Sequence, residues 1–410
     1  MKFALVGKSL PHTISPRLHR EFGDFEYGVK ELEDENALKD FVRSRELLGY
    51  NVTIPYKQAV MPLLDEISEG AREIGAVNTV VDVGGKLFGY NTDIDGVAFA
   101  MRSAGIDAKG KTVLVLGSGG TSKTVQYYLR KQGAQCSVVS RSGDLNYDNV
   151  YSRQETQVII NTTPVGTMSV EKPIDLAKFK NLEGVFDVIY NPIETALVRQ
   201  ARRLGVKATC GLGMLVEQGR VAHNIFAKVG GFEKKDESVT LEIVKKLEDE
   251  RLNIVLVGMA GCGKSTIGRR LAEKAQKTFV DLDEEIVKKA GKSIPQIFEE
   301  EGETGFRKIE SEVVAETCIR TGLVIATGGG AVLDEKNVEY FKANGKIVFL
   351  KRDVERLARE GRPLSKDLET VKKLYEKREP IYKKIADCEV ENIGDTEEVA
   401  GSVLTALSRW

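Results

Sequence analysis

Short apolar runs alternate with stretches of helical periodicity along the chain, the pattern of strands and helices taken in turn. In residues 1–100, Lys2–Val6, Gly49–Thr53 and Val77–Val81 read as strands, while Arg17–Phe22, Asn36–Arg45 and Lys57–Ile67 carry helical spacing. Strands are expected again at Lys111–Leu116, Cys136–Val139, Val158–Ile160 and Val185–Val188, with helices at Lys123–Gln132 and from Gly211 onward. Beyond residue 253 the expected strands are Ile254–Val257, Thr278–Val280, Leu323–Ala326, Lys346–Leu350 and Cys388–Glu391. Such alternation predicts an α/β chain built on parallel sheets. Residues 230–237 form a polar break, and Ser238 is placed as the N-cap of a helix running to Glu250. Arg251-Leu252 then lead into the next strand without a Gly/Ser or Pro-rich linker, so a short, fixed junction is expected.

The most specific chemistry lies where the strand Ile254–Val257 ends. Gly258-Met259-Ala260-Gly261-Cys262-Gly263-Lys264-Ser265-Thr266 fits the phosphate-cradling pattern G-x-x-x-x-G-K-S between a strand and a helix. Glycines let the loop turn its N–H groups onto an anion, and the following helix adds its positive end. Lys264 is then placed on the β/γ-phosphates and Ser265 on Mg²⁺. Asp281 and Asp283 end the next strand at period two: Asp281 is expected to hold Mg²⁺ through water and Asp283 to meet an acceptor hydroxyl. For one of the two, helix capping is the alternative. Arg307 and Glu310 stand three apart on a helix face, where the carboxylate would orient the guanidinium. Gly328, Gly329 and Gly330 let backbone approach a ligand. Arg362 and Arg378 suit a carboxylate or a phosphoryl group in transfer.

Composition narrows the class. A chain of 410 residues exceeds one ordinary core, so two or three domains are expected. Net charge is −1, which gives no electrostatic case for nucleic acid or an anionic membrane, and no apolar run has the length of a span. Five dispersed cysteines and no C-x-x-C pair read as thiols of a reducing cytoplasm. Three histidines, of which only His12 and His19 are close, give no zinc ligand set.

Polar clusters recur at strand ends, where open α/β sheets bind ligands. One holds Thr13 and Ser15, another Asn51, Thr53 and Lys57, a third Asp93. Lys57 and Asp93, brought together, would pass a proton; the alternative is a surface ion pair or turn-forming polar residues. Gly117-Ser118-Gly119-Gly120-Thr121 follows a strand and opens a helix, but Ser122 stands at the third glycine of the dinucleotide fingerprint. The next strand ends in Ser140-Arg141-Ser142, an Arg suited to a 2′-phosphate, which favours NADP over NAD.

Over residues 1–250 the motifs HTISP, NVTIPYK, GAVNTV, GYNTDIDG, VLGSGGTSK, NTTPVGTM, DVIYNP and GLGMLVEQG, in that order, resemble shikimate dehydrogenase. The resemblance implies Lys57 and Asp93 as catalytic pair, with Thr13, Ser15, Asn51, Thr53, Asn78, Tyr190 and Gln218 around shikimate. Met214 would lie near the nicotinamide. From residue 253 onward GMAGCGKST, FVDLDEEI, IFEEEGETGFRKIE, ATGGGAVL, GRPL and YEKREPIYKKIAD resemble shikimate kinase. This implies Asp283, Arg307, the Gly328–Gly330 loop and Arg378 as shikimate contacts and Arg362 as the lid arginine. Only Arg359-Glu360-Gly361 precede Arg362, a shorter loop than the family usually has.

The expected architecture is a substrate domain (1–100 with 211–250), a Rossmann-like NADP domain (101–210) and a P-loop kinase domain (251–410) of the nucleoside-monophosphate-kinase type, its lid at about 352–366. The two resemblances imply reduction of 3-dehydroshikimate with NADPH and then phosphorylation of the shikimate 3-hydroxyl with ATP and Mg²⁺, on the route to chorismate and aromatic amino acids. The expected partners are small molecules only. Quinate as substrate, one domain acting as a non-catalytic regulator, and monomer against homodimer stay open.

Overall fold

The computed structural model describes residues 2–11, 13–23, 25–357 and 368–408. The chain divides into two compact units. The first comprises Met1–Val165, Lys172–Tyr190 and Leu197–Lys246; the second comprises Leu247–Trp410 with the short segments Gly166–Glu171 and Asn191–Ala196.

The first unit holds two sheets. Six strands, β1 (Phe3–Gly7), β2 (Tyr27–Glu31), β3 (Gly49–Val52), β4 (Glu66–Ile67), β5 (Thr79–Val83) and β6 (Lys86–Tyr90), lie in the order β2-β1-β3-β5-β6-β4. The pairs β1/β2 and β1/β3 are parallel, whereas β3/β5 and β5/β6 are antiparallel. Helices α1 (Ser15–Phe22), α2 (Glu35–Ser44), α3 (Glu69–Ile74) and α4 (Asp93–Ser103) connect or follow them. The helix expected over Lys57–Ile67 is absent: turns, a 3-10 turn at Met61–Leu63 and the short β4 replace it. Tyr56 and Val60 still reach the core, so apolar spacing is satisfied without a helix. The edge strand β2 was not expected, because only Tyr27 of its five residues is fully buried and its pattern lacks an apolar run.

The second sheet is wholly parallel, in the order β11-β10-β9-β7-β8. Its strands are β7 (Thr112–Leu116), β8 (Gln135–Val139), β9 (Val158–Asn161), β10 (Gly184–Asp187) and β11 (Lys207–Thr209), with α5 (Gly120–Lys131) after β7 and α6 (Ala196–Arg203) before β11. Helix α7 (Leu212–Gly230) follows and packs on α4. Helix α8 (Ser238–Arg251) begins at Ser238 itself. Asp236 lies before it and accepts the Ser238 N–H at 3.2 Å, the bond expected of a cap.

The second unit carries another all-parallel sheet, β13-β14-β12-β15-β16, with β12 at Asn253–Val257, β13 at Thr278–Asp281, β14 at Leu323–Ala326, β15 at Gly345–Lys351 and β16 at Cys388–Glu391. Leu252 alone separates α8 from β12. Ile254, Val255, Leu256 and Val257 of β12 are all buried, as a central parallel strand requires. The helices are α9 (Lys264–Ala275), α10 (Leu282–Ala290), α11 (Ile294–Cys318, broken at Gly302), α12 (Glu335–Asn344), α13 (Leu368–Ile385) and α14 (Thr396–Leu407). No helix among the described residues is long and apolar enough to cross a membrane.

Candidate active sites

In the first unit the turn after β3 sets Lys57, and the first residue of α4 is Asp93. Lys57 Nζ lies 2.7 Å from Asp93 Oδ2. Asn78 Nδ2 donates to Asp93 Oδ1 at 3.0 Å and to Thr92 Oγ1 at 3.0 Å, and the Asp93 N–H donates to Asn91 Oδ1 at 3.1 Å. The carboxylate is therefore held in one orientation, at a helix start whose dipole favours its charge. The pair opens onto a cavity of about 580 Å³. All of Thr13, Ser15, Asn51, Thr53, Lys57, Asn78, Asp93, Tyr190, Met214 and Gln218 line it. Thr13 and Ser15 present their hydroxyl oxygens 3.2 Å apart. Asn51 is more committed than its motif suggests: Oδ1 accepts from Tyr27 at 2.7 Å, and Nδ2 donates to Asn78 O and Thr79 Oγ1 at 3.2 and 3.0 Å. His19, which sequence reasoning passed over, also lines the cavity, stacked on Tyr27 at 3.9 Å.

Between β7 and α5, Gly117 has φ +101°, a conformation that side chains rarely adopt, and its neighbour Thr162 leaves no room for a Cβ. Gly119 and Gly120 face open space instead. Backbone N–H groups of this turn are thus accessible at the start of α5, which fits a pyrophosphate. Thr121 lines the cavity just described. Ser122, in the place of a third glycine, is fully buried and accepts from Gln126 at 3.0 Å. Ser140 is half-buried after β8, while Arg141 and Ser142 are exposed.

In the second unit, Gly258, Gly261 and Gly263 have φ of +145°, +87° and +99° between β12 and α9. Lys264 is buried and donates to the loop's own carbonyls, Gly258 O at 2.9 Å and Met259 O at 2.8 Å. Ser265 Oγ donates to Asp281 Oδ2 at 2.5 Å, and Asp281 Oδ1 caps α10 by accepting the Asp283 N–H at 3.0 Å. Asp281 is thus both the helix cap and the partner of Ser265. Two oxygen ligands side by side fit Mg²⁺, which takes one or two carboxylates and substrate phosphates. No cluster of three His, Cys, Asp or Glu side chains suited to a metal occurs among the described residues.

The loop after β14 gathers the remaining candidates. A Cβ on Gly328 would stand 2.9 Å from Glu310 Oε1 and 3.2 Å from Asp283 Oδ1. One on Gly329 would stand 3.0 Å from Ala260 N and 3.6 Å from Arg378 Nη1, and one on Gly330 would strike the Arg307 guanidinium. Asp283, Arg307 and Arg378 therefore converge where three glycines make room. Arg307 Nη1 pairs with Glu310 Oε2 at 2.6 Å. Burial pushes the Glu310 carboxyl up and Arg307 pulls it down. Arg362 and most of the expected lid lie outside the described residues.

A second cavity, about 320 Å³, was missed by sequence reasoning. Thr266, Arg352, Arg356, Asn392 and Ile393 are among its lining residues, and Asn392 Nδ2 donates to Cys262 O at 2.7 Å. Gly263 and Thr266 come from the phosphate loop, and most of the others follow the ends of β15 and β16, the rule for parallel sheets, where no motif stands.

Residues 5–80 match the model of the shikimate dehydrogenase substrate binding domain, and residues 260–408 match that of shikimate kinase. Among curated relatives, the shikimate dehydrogenase (NADP(+)) of Caldicellulosiruptor bescii is 37% identical over 258 residues, 55% of this chain and 88% of its own length. The Geobacillus enzyme of the same name is 38% identical over 54% of this chain and 90% of its own. Two crystal structures share the fold of the first region. A chorismate mutase/shikimate 5-dehydrogenase fusion from Clostridium acetobutylicum has TM-score 0.56 and 34% identity, covering 60% of this chain and 97% of its own. The Thermus thermophilus shikimate 5-dehydrogenase, in complex with NADP(H) and shikimate, has TM-score 0.53 and 30% identity over 60% and 99%. The chain belongs to the shikimate dehydrogenase family and carries a shikimate kinase domain behind the dehydrogenase.

Proposed function

We propose that this chain catalyses two consecutive steps: NADPH-dependent reduction of 3-dehydroshikimate to shikimate, then ATP- and Mg²⁺-dependent phosphorylation of the shikimate 3-hydroxyl. The observation that carries the first step is the Lys57–Asp93 pair, 2.7 Å apart on the wall of a cavity rich in hydroxyls and amides. NADPH supplies the hydride that reaches the carbonyl carbon. Lys57 and Asp93 move the proton to the carbonyl oxygen, and Asn78 keeps Asp93 oriented while they do so. Thr13, Ser15, Thr53, Tyr190 and Gln218 hold the carboxylate and hydroxyls of the substrate, and Asn51 holds Asn78 and Thr79 in place. Met214 lies at the nicotinamide, the Gly117–Thr121 turn at the pyrophosphate, and Ser140-Arg141-Ser142 at the 2′-phosphate.

In the kinase, Lys264 and the N–H groups of Gly258–Thr266 hold the ATP phosphates, with Mg²⁺ at Ser265 and Asp281. Asp283 receives the proton of the 3-hydroxyl, while Arg307, Arg378 and the Gly328–Gly330 loop fix shikimate. The cavity at Arg352, Asn392 and Ile393 takes the adenosine end. The domains divide as 1–100 with 211–250, 101–210 and 251–410, and dispersed thiol cysteines favour a reducing cytoplasm as the compartment.

The test is one reaction containing purified protein, 3-dehydroshikimate, NADPH, ATP and Mg²⁺, followed by mass spectrometry. Shikimate should appear first and shikimate 3-phosphate should become the end product. Persistence of 3-dehydroshikimate refutes the first step, and accumulation of shikimate refutes the second.

A further inference from the structure

The deepest polar side chain near the proposed phosphoryl-transfer site is one that no step above uses. Tyr382 of α13 is fully buried, and its ring stacks on Phe349 of β15 with centroids 5.1 Å apart. Its hydroxyl donates to Gly329 O at 2.5 Å, and Met259 Sδ of the phosphate loop stands 3.9 Å from that hydroxyl oxygen. One turn earlier on α13 is Arg378, which is also buried. Burial pushes the phenol well above its usual range, with Arg378 pulling the other way, so the hydroxyl keeps its proton and remains a donor.

Three elements meet at this oxygen. Gly329 belongs to the loop after β14, Met259 to the phosphate loop, and Tyr382 to the helix that bears Arg378. A Cβ on Gly329 would already press on Ala260 N at 3.0 Å, so the two loops are in contact there. A glycine has no side chain to anchor it, and its carbonyl is the handle by which it is held. The peptide unit is planar and trans, so fixing the Gly329 carbonyl also fixes the direction of the Gly330 N–H. Gly330 is the residue whose missing Cβ leaves space for the Arg307 guanidinium.

We propose that Tyr382 is a positioning residue for phosphoryl transfer: through Gly329 it sets the acceptor loop against the phosphate loop and the helix of Arg378. The proposal rests on the kinase reading above. Without the hydroxyl, the half-buried Gly329 carbonyl loses the donor that orients it, and the peptide is free to turn toward another.

The test compares Tyr382→Phe with the parent in the full chain, with shikimate and ATP varied separately and 3-dehydroshikimate reduction measured on the same preparation. Tyr382→Phe should raise the shikimate KM of phosphorylation about tenfold, a loss of the size expected for a mispositioned substrate. The ATP KM and the reduction rate should stay within about twofold, because uniform loss of both sites would signal unfolding rather than mispositioning. Phe349→Leu loosens the ring stack and keeps the hydroxyl; it should lower the melting temperature and leave the shikimate KM unchanged. An unchanged shikimate KM and kcat in Tyr382→Phe, or the same KM rise in Phe349→Leu, overturns the proposal. A parent that phosphorylates no shikimate overturns the kinase reading, a failure visible before any substitution is made.

Discussion

Asp93 is a carboxylate with little freedom: Lys57 and Asn78 each hold one of its oxygens, and Asn91 accepts its backbone N–H. Nearby, His19 shows what burial does to a titrating group. It is 2% exposed, stacked on Tyr27, and held at a pKa of about 3 by burial first and by His223 second, with Asn51 opposing. Burial lowers His223 as well. The unfolded chain protonates these rings near 6.5 and the folded chain does not, so the unfolded state binds more protons below that pH. Stability should therefore be complete above pH 6.5 and fall as the pH drops toward 3, by up to about 1.4 kcal/mol per pH unit for His19, with His223 adding in the same direction. Melting followed by circular dichroism from pH 7 to 4.5 reads this slope, and His19→Leu should reduce it by about one proton. An equal slope in the variant would clear His19 of the effect. Sequence pattern disclosed Lys57 and Asp93 because charged residues stand out at strand ends. It gave His19 no part in the site, because its surroundings are an aromatic box that Phe226, some two hundred residues on, completes around the local Phe22, Phe25 and Tyr27.

Helix α7 carries Met214 and Gln218 into the dehydrogenase cavity, so its start decides where both side chains stand. Gly211 is its N-cap, and a Cβ there would strike the Val188 carbonyl, which is backbone and cannot step aside. Gly211→Ala should cost about 1–3 kcal/mol of overpacking or displace the first turn of α7. Steady-state assays should show reduction falling by about tenfold or more for a substrate misplaced by a fraction of an ångström, with phosphorylation unchanged. Full reduction activity would mean that the helix start yields without moving the site. The strongly apolar strands β7, β9, β10, β12 and β14 were legible because parallel strands buried on both faces need unbroken apolar runs. The stretch Lys57–Ile67 misled because helical spacing and a set of turns expose the same apolar side chains to one core. The second cavity stayed hidden for a related reason: Arg352 and Asn392 come together only once β15 and β16 pair.

Across the whole molecule the two units each contain their own proposed catalytic set, with no residue in common. Lys57→Ala should lower reduction by at least about a hundredfold through loss of the proton donor and leave phosphorylation intact. Lys264→Ala should do the reverse. Parallel loss of both activities in either variant, measured on one preparation, would show that the units do not work as separate catalysts. The parallel sheet and phosphate loop of the second unit were the most readable part of the chain, since strand, glycines, Lys264 and Ser265 stand in one short segment.

That loop has a further consequence. The Lys264 ammonium is held by Gly258 O and Met259 O. Binding is therefore an exchange of partners, and the two carbonyls are left behind. A lone small anion offers the ammonium little beyond what it has, whereas a triphosphate offers several charged oxygens at once. A loop with such internal partners for its lysine sorts anions by the number of charges they bring, before base or sugar is ever read.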